Sequence, residues 1–265
     1  MEPSEPIAHS SVASRVLALI DHTSLGDDDT PEVITTLCGA ASNEYGHVAS
    51  ICTWPRFIAL AHELLGGGEV GIAAVVNFPT GLASPADTAA EAAGAVGDGA
   101  TEIDLVVPWE AHRDGNSTVV AEMVATVRGA IPDHVVLKTI LETGELGEAD
   151  LIRSIASQAA GAGADFLKTS TGKTAHGATP EAVAILLDVA SEFRSEGHTV
   201  GVKVSGGVRD VAGASEYLAM VDEKMGPTWA TSFTFRFGAS SLLPDVVRVL
   251  SGSSGSDLPG ATTDY

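Results

Sequence analysis

Along this chain, short apolar runs rich in β-branched residues alternate with Ala-rich segments whose apolar positions recur every three or four residues. Runs at 19–25, 48–53, 70–78, 102–107, 135–142, 166–171, 200–206 and 234–239 predict eight strands, the first being the weakest. Segments 31–42, 56–65, 85–97, 117–130, 148–162, 180–195 and 211–225 predict helices between them. Several open on a cap signal, such as Thr30 before Pro31 or Thr179 before Pro180, and several close on glycine. Eight strand-and-helix units in 265 residues fit an α/β fold of the (β/α)8 TIM-barrel type, a single domain over 11–250. A short N-terminal extension (1–10) and a mobile Gly/Ser-rich tail (251–265) complete the expected layout. A doubly wound sheet is the alternative, but no G-x-G-x-x-G follows the first strands, and glycines cluster after the sixth to eighth strands instead.

Composition narrows the function. With 35 acidic against 14 basic residues, the formal charge is −21 on a chain that is 45% hydrophobic. Nucleic acid and anionic membranes require a basic footprint that is missing, so neither is an expected partner. No run of 18 apolar residues occurs and the first residues lack a secretory pattern, which predicts a cytoplasmic protein. Cys38 and Cys52 have neither disulfide nor metal spacing and are expected as reduced thiols. The eight histidines form no H-x-x-x-H pair, so no metal and no other cofactor is expected.

Four predicted strands carry a charge flanked by apolar residues: Asp104, Lys138, Lys168 and Lys203. In a barrel strand the flanking residues face the helices and the residue between them points inward, so all four converge on the interior. Burying isolated charges is costly, and a core without chemistry avoids it. The chain has only five lysines, and Lys224 alone lies outside the group of Lys138, Lys168, Lys173 and Lys203. Two lysines facing each other across adjacent strands make an amine nucleophilic, because burial and a neighbouring cation both disfavour protonation. A neutral amine attacks carbonyls, and Asp104 is placed to move the protons. The residues alone do not rank Lys168 above Lys203. Lys138 is either a site residue or a partner for a carboxylate.

A second constellation lies at late strand ends: Thr171, Gly172 and Lys173; Gly206, Gly207 and Arg209; Gly238, Ser240 and Ser241. Glycines admit close backbone approach to an anion, hydroxyls donate, and the cations supply charge, which together describe a barrel's phosphate corner.

These residues carry a resemblance. FLKTSTGK at 166–173, GVKVSGGVR at 201–209, EIDLVV at 102–107 and RFGASS at 236–241 are similar to the 2-deoxyribose-5-phosphate aldolase family. LIDHTSL at 19–25, ICTWPRF at 51–57, NFPTG at 77–81 and ETGEL at 142–146 support it, in order, over about 17–250. The resemblance implies a metal-independent class I aldolase that reversibly cleaves 2-deoxy-D-ribose 5-phosphate to D-glyceraldehyde 3-phosphate and acetaldehyde, with C3–C4 as the bond broken. It makes Lys168 the Schiff-base lysine, Lys203 the lysine that lowers its pKa, and Asp104 the acid/base. It places Gly172, Lys173, Gly206, Gly207, Ser240 and Ser241 at the phosphate, with Gly238 beside them in the strand-end constellation, and Asp21 and Thr23 near the sugar hydroxyls; Cys52, near the family's substrate contacts, is either a contact or a packing residue, and Lys138 and Thr171 are substrate candidates from their own positions. Tyr265 is implied to reach the site from the tail and assist proton exchange, and a homodimer is a family-level expectation. The chain departs from the family pattern in reading Val204–Ser205 before its paired glycines, and the 226–233 loop has no readable role. Two other readings stand beside this one: a different Schiff-base lyase of a phosphorylated sugar, and a non-catalytic phospho-ligand binder.

Overall fold

The computed structural model describes residues 5–252; Tyr265 and the expected tail beyond residue 252 lie outside the described residues. Eight strands form the barrel: β1 (Ile20–Thr23), β2 (Ser50–Thr53), β3 (Gly71–Val76), β4 (Glu102–Val106), β5 (Val136–Ile140), β6 (Phe166–Lys168), β7 (Gly201–Ser205) and β8 (Phe235–Ala239). Each runs parallel to the next in chain order, and β8 closes on β1. The predicted strands fall on these eight. Six end one to three residues earlier than expected, and two of these show why. β5 stops at Ile140 because Glu142 takes a left-handed φ of 52°, and β6 gives way after Lys168 to a loop tied to β7 by Thr169 Oγ1 donating to Ser205 O at 3.1 Å.

Helices cover the barrel between strands, and residues with no predicted element form four more: Glu5–Leu17, Trp109–Arg113, Thr143–Leu146 and Leu242–Leu250. The first of these precedes β1 and packs on the last. The boundary expected at residue 10 therefore falls inside a helix and marks no structural break. The period-two pattern does its work in β4 to β8, where Ile103, Leu105, Leu137, Leu167, Val202, Val204, Phe235 and Phe237 join the apolar shell under the helices. Val204, the departure from the family pattern, belongs to that shell and faces away from the interior.

The interior is charged rather than apolar. Asp21, Glu102, Asp104, Lys138, Lys168, Lys203 and Arg236 are all buried within it. Three inward glycines make room for them. A Cβ on Gly71 would sit 2.7 Å from Glu102 Oε1, one on Gly201 2.5 Å from the Phe166 ring, and one on Gly238 2.2 Å from Ser205 Oγ and 2.9 Å from Lys203 Cε. Packing at crystal-like density leaves no slack for such atoms, so a side chain at these positions displaces Glu102, the Phe166 ring, or Ser205 and Lys203.

Candidate active site

Register sets the lysines in place. Asp104 on β4 lies beside Lys138 on β5, and Lys168 on β6 lies directly beside Lys203 on β7, which is in turn beside Arg236 on β8. Asp104 is the hub. Its Oδ2 accepts from Lys168 Nζ and from Lys203 Nζ, each at 2.7 Å, and its Oδ1 accepts from Lys138 Nζ at 2.8 Å. Asp21 Oδ2 lies 2.6 Å from Lys203 Nζ and 3.5 Å from Lys138 Nζ. Glu102 Oε2 accepts from Lys138 Nζ at 2.5 Å. Arg236 completes the floor by donating to Asp21 and, at 3.1 Å, to Glu102 Oε1, with its guanidinium 5.7 Å from the Phe166 ring centroid.

The partner count separates the three lysines. Lys138 faces three carboxylates, Lys203 two, and Lys168 one. Burial works against each ammonium. For Lys138 the carboxylates of Asp104, Glu102 and Asp21 outweigh it, and for Lys203 those of Asp104 and Asp21 do, so both are held above the usual lysine range. For Lys168, burial together with the Lys203 cation outweighs Asp104, and its pKa falls below the usual value. Burial alone would raise Asp104, but Lys138, Lys168 and Lys203 hold it well below the ordinary carboxylate range. The charge count agrees: four cations stand against three carboxylates, and the cluster is balanced when Lys168 is neutral. Lys168 is thus the amine most available as a nucleophile, a ranking that the residues alone left open.

Lys168 is also the only one of the three lysines that lines the cavity at the C-terminal mouth of the barrel. The cavity walls are Thr23, Leu25, Thr171, Gly172, Lys173, Ser205, Gly206, Gly207, Val208, Arg209, Gly238, Ala239, Ser240 and Ser241. Gly206 and Gly207 have φ of 85° and 100°, a backbone that carries side chains only under strain and that glycine adopts freely. Ser240 and Ser241 stand at the start of helix Leu242–Leu250, where unpaired amides favour an anion. In a chain of charge −21, the lining of this mouth carries Lys173 and Arg209 beside Lys168 and no carboxylate.

Of the residues expected in the site, Lys168, Thr23, Thr171, Gly172, Lys173, Gly206, Gly207, Gly238, Ser240 and Ser241 meet at this cavity. Lys203, Asp104, Asp21 and Lys138 lie beneath it in the ion network. Lys138 has zero exposure and three carboxylate partners, which is the second of its two readings. Cys52 is buried in a small apolar cluster with Leu25, Ala73 and Val75, its Sγ 3.8 Å from Asp104 Oδ2; burial, reinforced by Asp104, pushes its thiol up to about 11. Gly238 both lines the cavity and gives Lys203 its space.

Sequence reading passed over Glu102 and Arg236, though both obey the rule that found the lysines: Arg236 stands between Phe235 and Phe237, and Glu102 lies two residues before Asp104. The 226–233 loop also gains a role. Its Ser232 carbonyl accepts from Arg236 Nε, fixing the third edge of that guanidinium.

A family model described as DeoC/LacD family aldolase matches residues 15–245. The chain belongs to the DeoC/LacD aldolases. It is 47% identical over 241 residues to a deoxyribose-phosphate aldolase of Agrobacterium fabrum, covering 91% of this chain and 92% of that protein. A structure from Toxoplasma gondii ME49, assigned as a deoxyribose-phosphate aldolase, superposes with a TM-score of 0.86 at 26% identity over 94% of this chain and 98% of that one. The deoxyribose phosphate aldolase of Aeropyrum pernix, a tetramer, gives 0.68 at 26% identity over 94% and 98%. This DeoC/LacD aldolase is therefore a lyase on a single closed barrel. Among its described residues no helix is long and apolar enough to cross a membrane.

Proposed function

We propose that this aldolase reversibly cleaves 2-deoxy-D-ribose 5-phosphate to D-glyceraldehyde 3-phosphate and acetaldehyde through a Schiff base on Lys168. One observation carries the reading: the lysine with the weakest hold on its proton forms the floor of a cavity rimmed by glycine backbone, hydroxyls and Lys173. The Agrobacterium relative supports the choice of sugar.

In this mechanism neutral Lys168 adds to the C1 aldehyde of the open-chain sugar, and loss of water leaves a protonated imine. The bond that breaks is C2–C3 rather than C3–C4, since a two-carbon aldehyde and a three-carbon phosphate must result. The C3 hydroxyl gives up its proton through a water bound to Asp104, the C2–C3 electrons move to the imine nitrogen, and glyceraldehyde 3-phosphate leaves. The enamine takes a proton at C2, and water releases acetaldehyde and restores the amine. Lys203, cationic and fixed by two carboxylates, keeps Lys168 deprotonated between turnovers. Lys173, Gly206, Gly207, Ser240 and Ser241 hold the phosphate and so set the distance from phosphate to imine. The expected homodimer and cytoplasmic location belong to the same reading, and light scattering tests the first.

The test is to incubate the protein with acetaldehyde, reduce with borohydride and map the added ethyl group by peptide mass. Ethylation of Lys168 supports the mechanism; ethylation of Lys203 instead reverses the two lysine roles; no adduct on folded protein overturns the Schiff-base reading. Ribose 5-phosphate as a competing substrate separates this reading from another Schiff-base lyase, because a site built for the 2-deoxy sugar turns it over poorly.

A further inference from the structure

Glu142 lies outside the ion network and outside the cavity lining, yet it is fully buried. It follows β5 with φ 52°, one of two non-glycine residues at positive φ among the described residues. For a glutamate that conformation is strained, and a glycine would hold the backbone at lower cost. The other, Asn77, uses its side chain to tie its own loop and the end of β4, accepting from Ala83 N and donating to Val106 O, each at 2.9 Å. Glu142 uses its carboxylate on a different loop, the one after β6.

There Thr171 Oγ1 donates to Glu142 Oε2 at 2.6 Å, Thr171 N lies 3.2 and 3.3 Å from the two carboxylate oxygens, and Thr174 Oγ1 donates to Oε1 at 3.3 Å. The Thr171 hydroxyl, its hydrogen committed to Glu142, accepts from Lys173 N at 3.0 Å. The amide of Lys173 is therefore spent inside the loop, and what this residue offers an anion is its ammonium, which lies 3.9 Å from Asp27 Oδ1 at the cavity edge. The loop is clamped on its far side as well: Ala178 N donates to Gly206 O at 3.1 Å, and a Cβ on Gly177 would sit 2.6 Å from that same oxygen. The 171–178 segment is thus strung between Glu142 and the Gly206–Gly207 turn. Charge-assisted bonds from a buried carboxylate are the strong kind, and here they bind the rim from behind.

We propose that Glu142 is a positioning residue for the phosphate-binding rim: by holding Thr171 and Thr174 from behind, it fixes the backbone that aims the Lys173 ammonium at the substrate phosphate. This rests on the reading of the rim given above. Burial raises the Glu142 carboxyl above its ordinary pKa, against the pull of its Thr171 and Thr174 bonds and of the Lys168 ammonium.

The experiment measures kcat and KM of the full-length enzyme and of Glu142→Ala and Glu142→Gln on 2-deoxyribose 5-phosphate and on unphosphorylated 2-deoxyribose, with inorganic phosphate as a competitive inhibitor. The expected result in Glu142→Ala is a fall of roughly 10- to 100-fold in the preference for the phosphorylated sugar, carried mainly by KM, with a matching weakening of phosphate inhibition. Glu142→Gln, of the same shape and able to keep one acceptor, recovers part of the preference. A loss of folded protein lowers both activities together and leaves their ratio alone, so an unchanged ratio in the soluble variants overturns the proposal; if only Glu142→Gln folds, its ratio decides. A wild-type enzyme that shows no preference for the phosphorylated sugar overturns the phosphate reading itself, and this proposal with it.

Discussion

Below Lys168 the barrel is filled by side-chain ions: Asp21, Glu102, Asp104, Lys138, Lys203 and Arg236 pair with one another in register and leave little exposed surface. Above it the walls are glycines, hydroxyls and helix-start backbone, with charge supplied by Lys173 and Arg209. The lower layer is closed: burying so many ions is tolerated only because each finds an opposite partner, and removing one strands the others. The upper layer is open, with donors arranged around a space that an anion can complete. Lys168 sits at the boundary with one partner from below and the cavity above, and that position, more than any local motif, makes its amine reactive. The contrast teaches that the ions set the chemistry and the backbone sets the substrate's place.

Substitutions can break this contrast from either side. The largest effect is expected for Lys168→Arg, which fixes a cation at the boundary and cannot form an imine: turnover should fall on the order of 10⁴-fold or more, and the melting temperature should fall as well, because the permanent charge unbalances the buried cluster. Steady-state assay beside a thermal melt checks both halves, and near-wild-type turnover would exclude an imine at this position. Next comes Asp104→Asn, which strips the hub from three lysines. Stability should drop by about 3–5 kcal/mol in urea titration, and kcat/KM should fall by roughly 10²–10⁴.

Lys203→Met gives a smaller and more diagnostic change. The folded pKa of Lys168 is depressed, so the neutral, reactive amine grows as pH rises through that value, giving an acidic limb to the rate of imine formation. Removing the Lys203 cation, and with it a competitor for Asp104, raises the Lys168 pKa, so the limb should move to higher pH when borohydride trapping is followed against pH. A limb that stays in place would mean that burial alone sets the amine. The same sign governs stability: between the depressed pKa and the ordinary lysine value the unfolded chain binds more protons, so this residue adds stability as pH rises through that window. The smallest effect belongs to Gly238→Ala, whose Cβ would meet Ser205 Oγ and Lys203 Cε. A loss of about 1–3 kcal/mol is expected, and a crystal structure of the variant should show Lys203 displaced.

Much of this was legible in the chain. The alternation of strand and helix patterns located all eight strands, because apolar periodicity reports burial directly. The same periodicity pointed Asp104, Lys138, Lys168 and Lys203 inward, and equally implicated Glu102 and Arg236, where the signal was present and unused. Glu142 was legible only as part of a family motif, since nothing local announces that a carboxylate after β5 will hold a loop after β6. The helix Glu5–Leu17 escaped because it starts among residues read as an extension.

The sequence by itself determined the fold class, the inward set of charges and the glycine-rich strand ends, because these follow from side-chain period and local backbone freedom. Only the tertiary structure set one of the inward lysines, Lys168, apart from the other two. That distinction depends on how many carboxylates each ammonium meets across strands far apart in the chain, and on which one faces the cavity: three for Lys138, two for Lys203, and one for Lys168 at the open end.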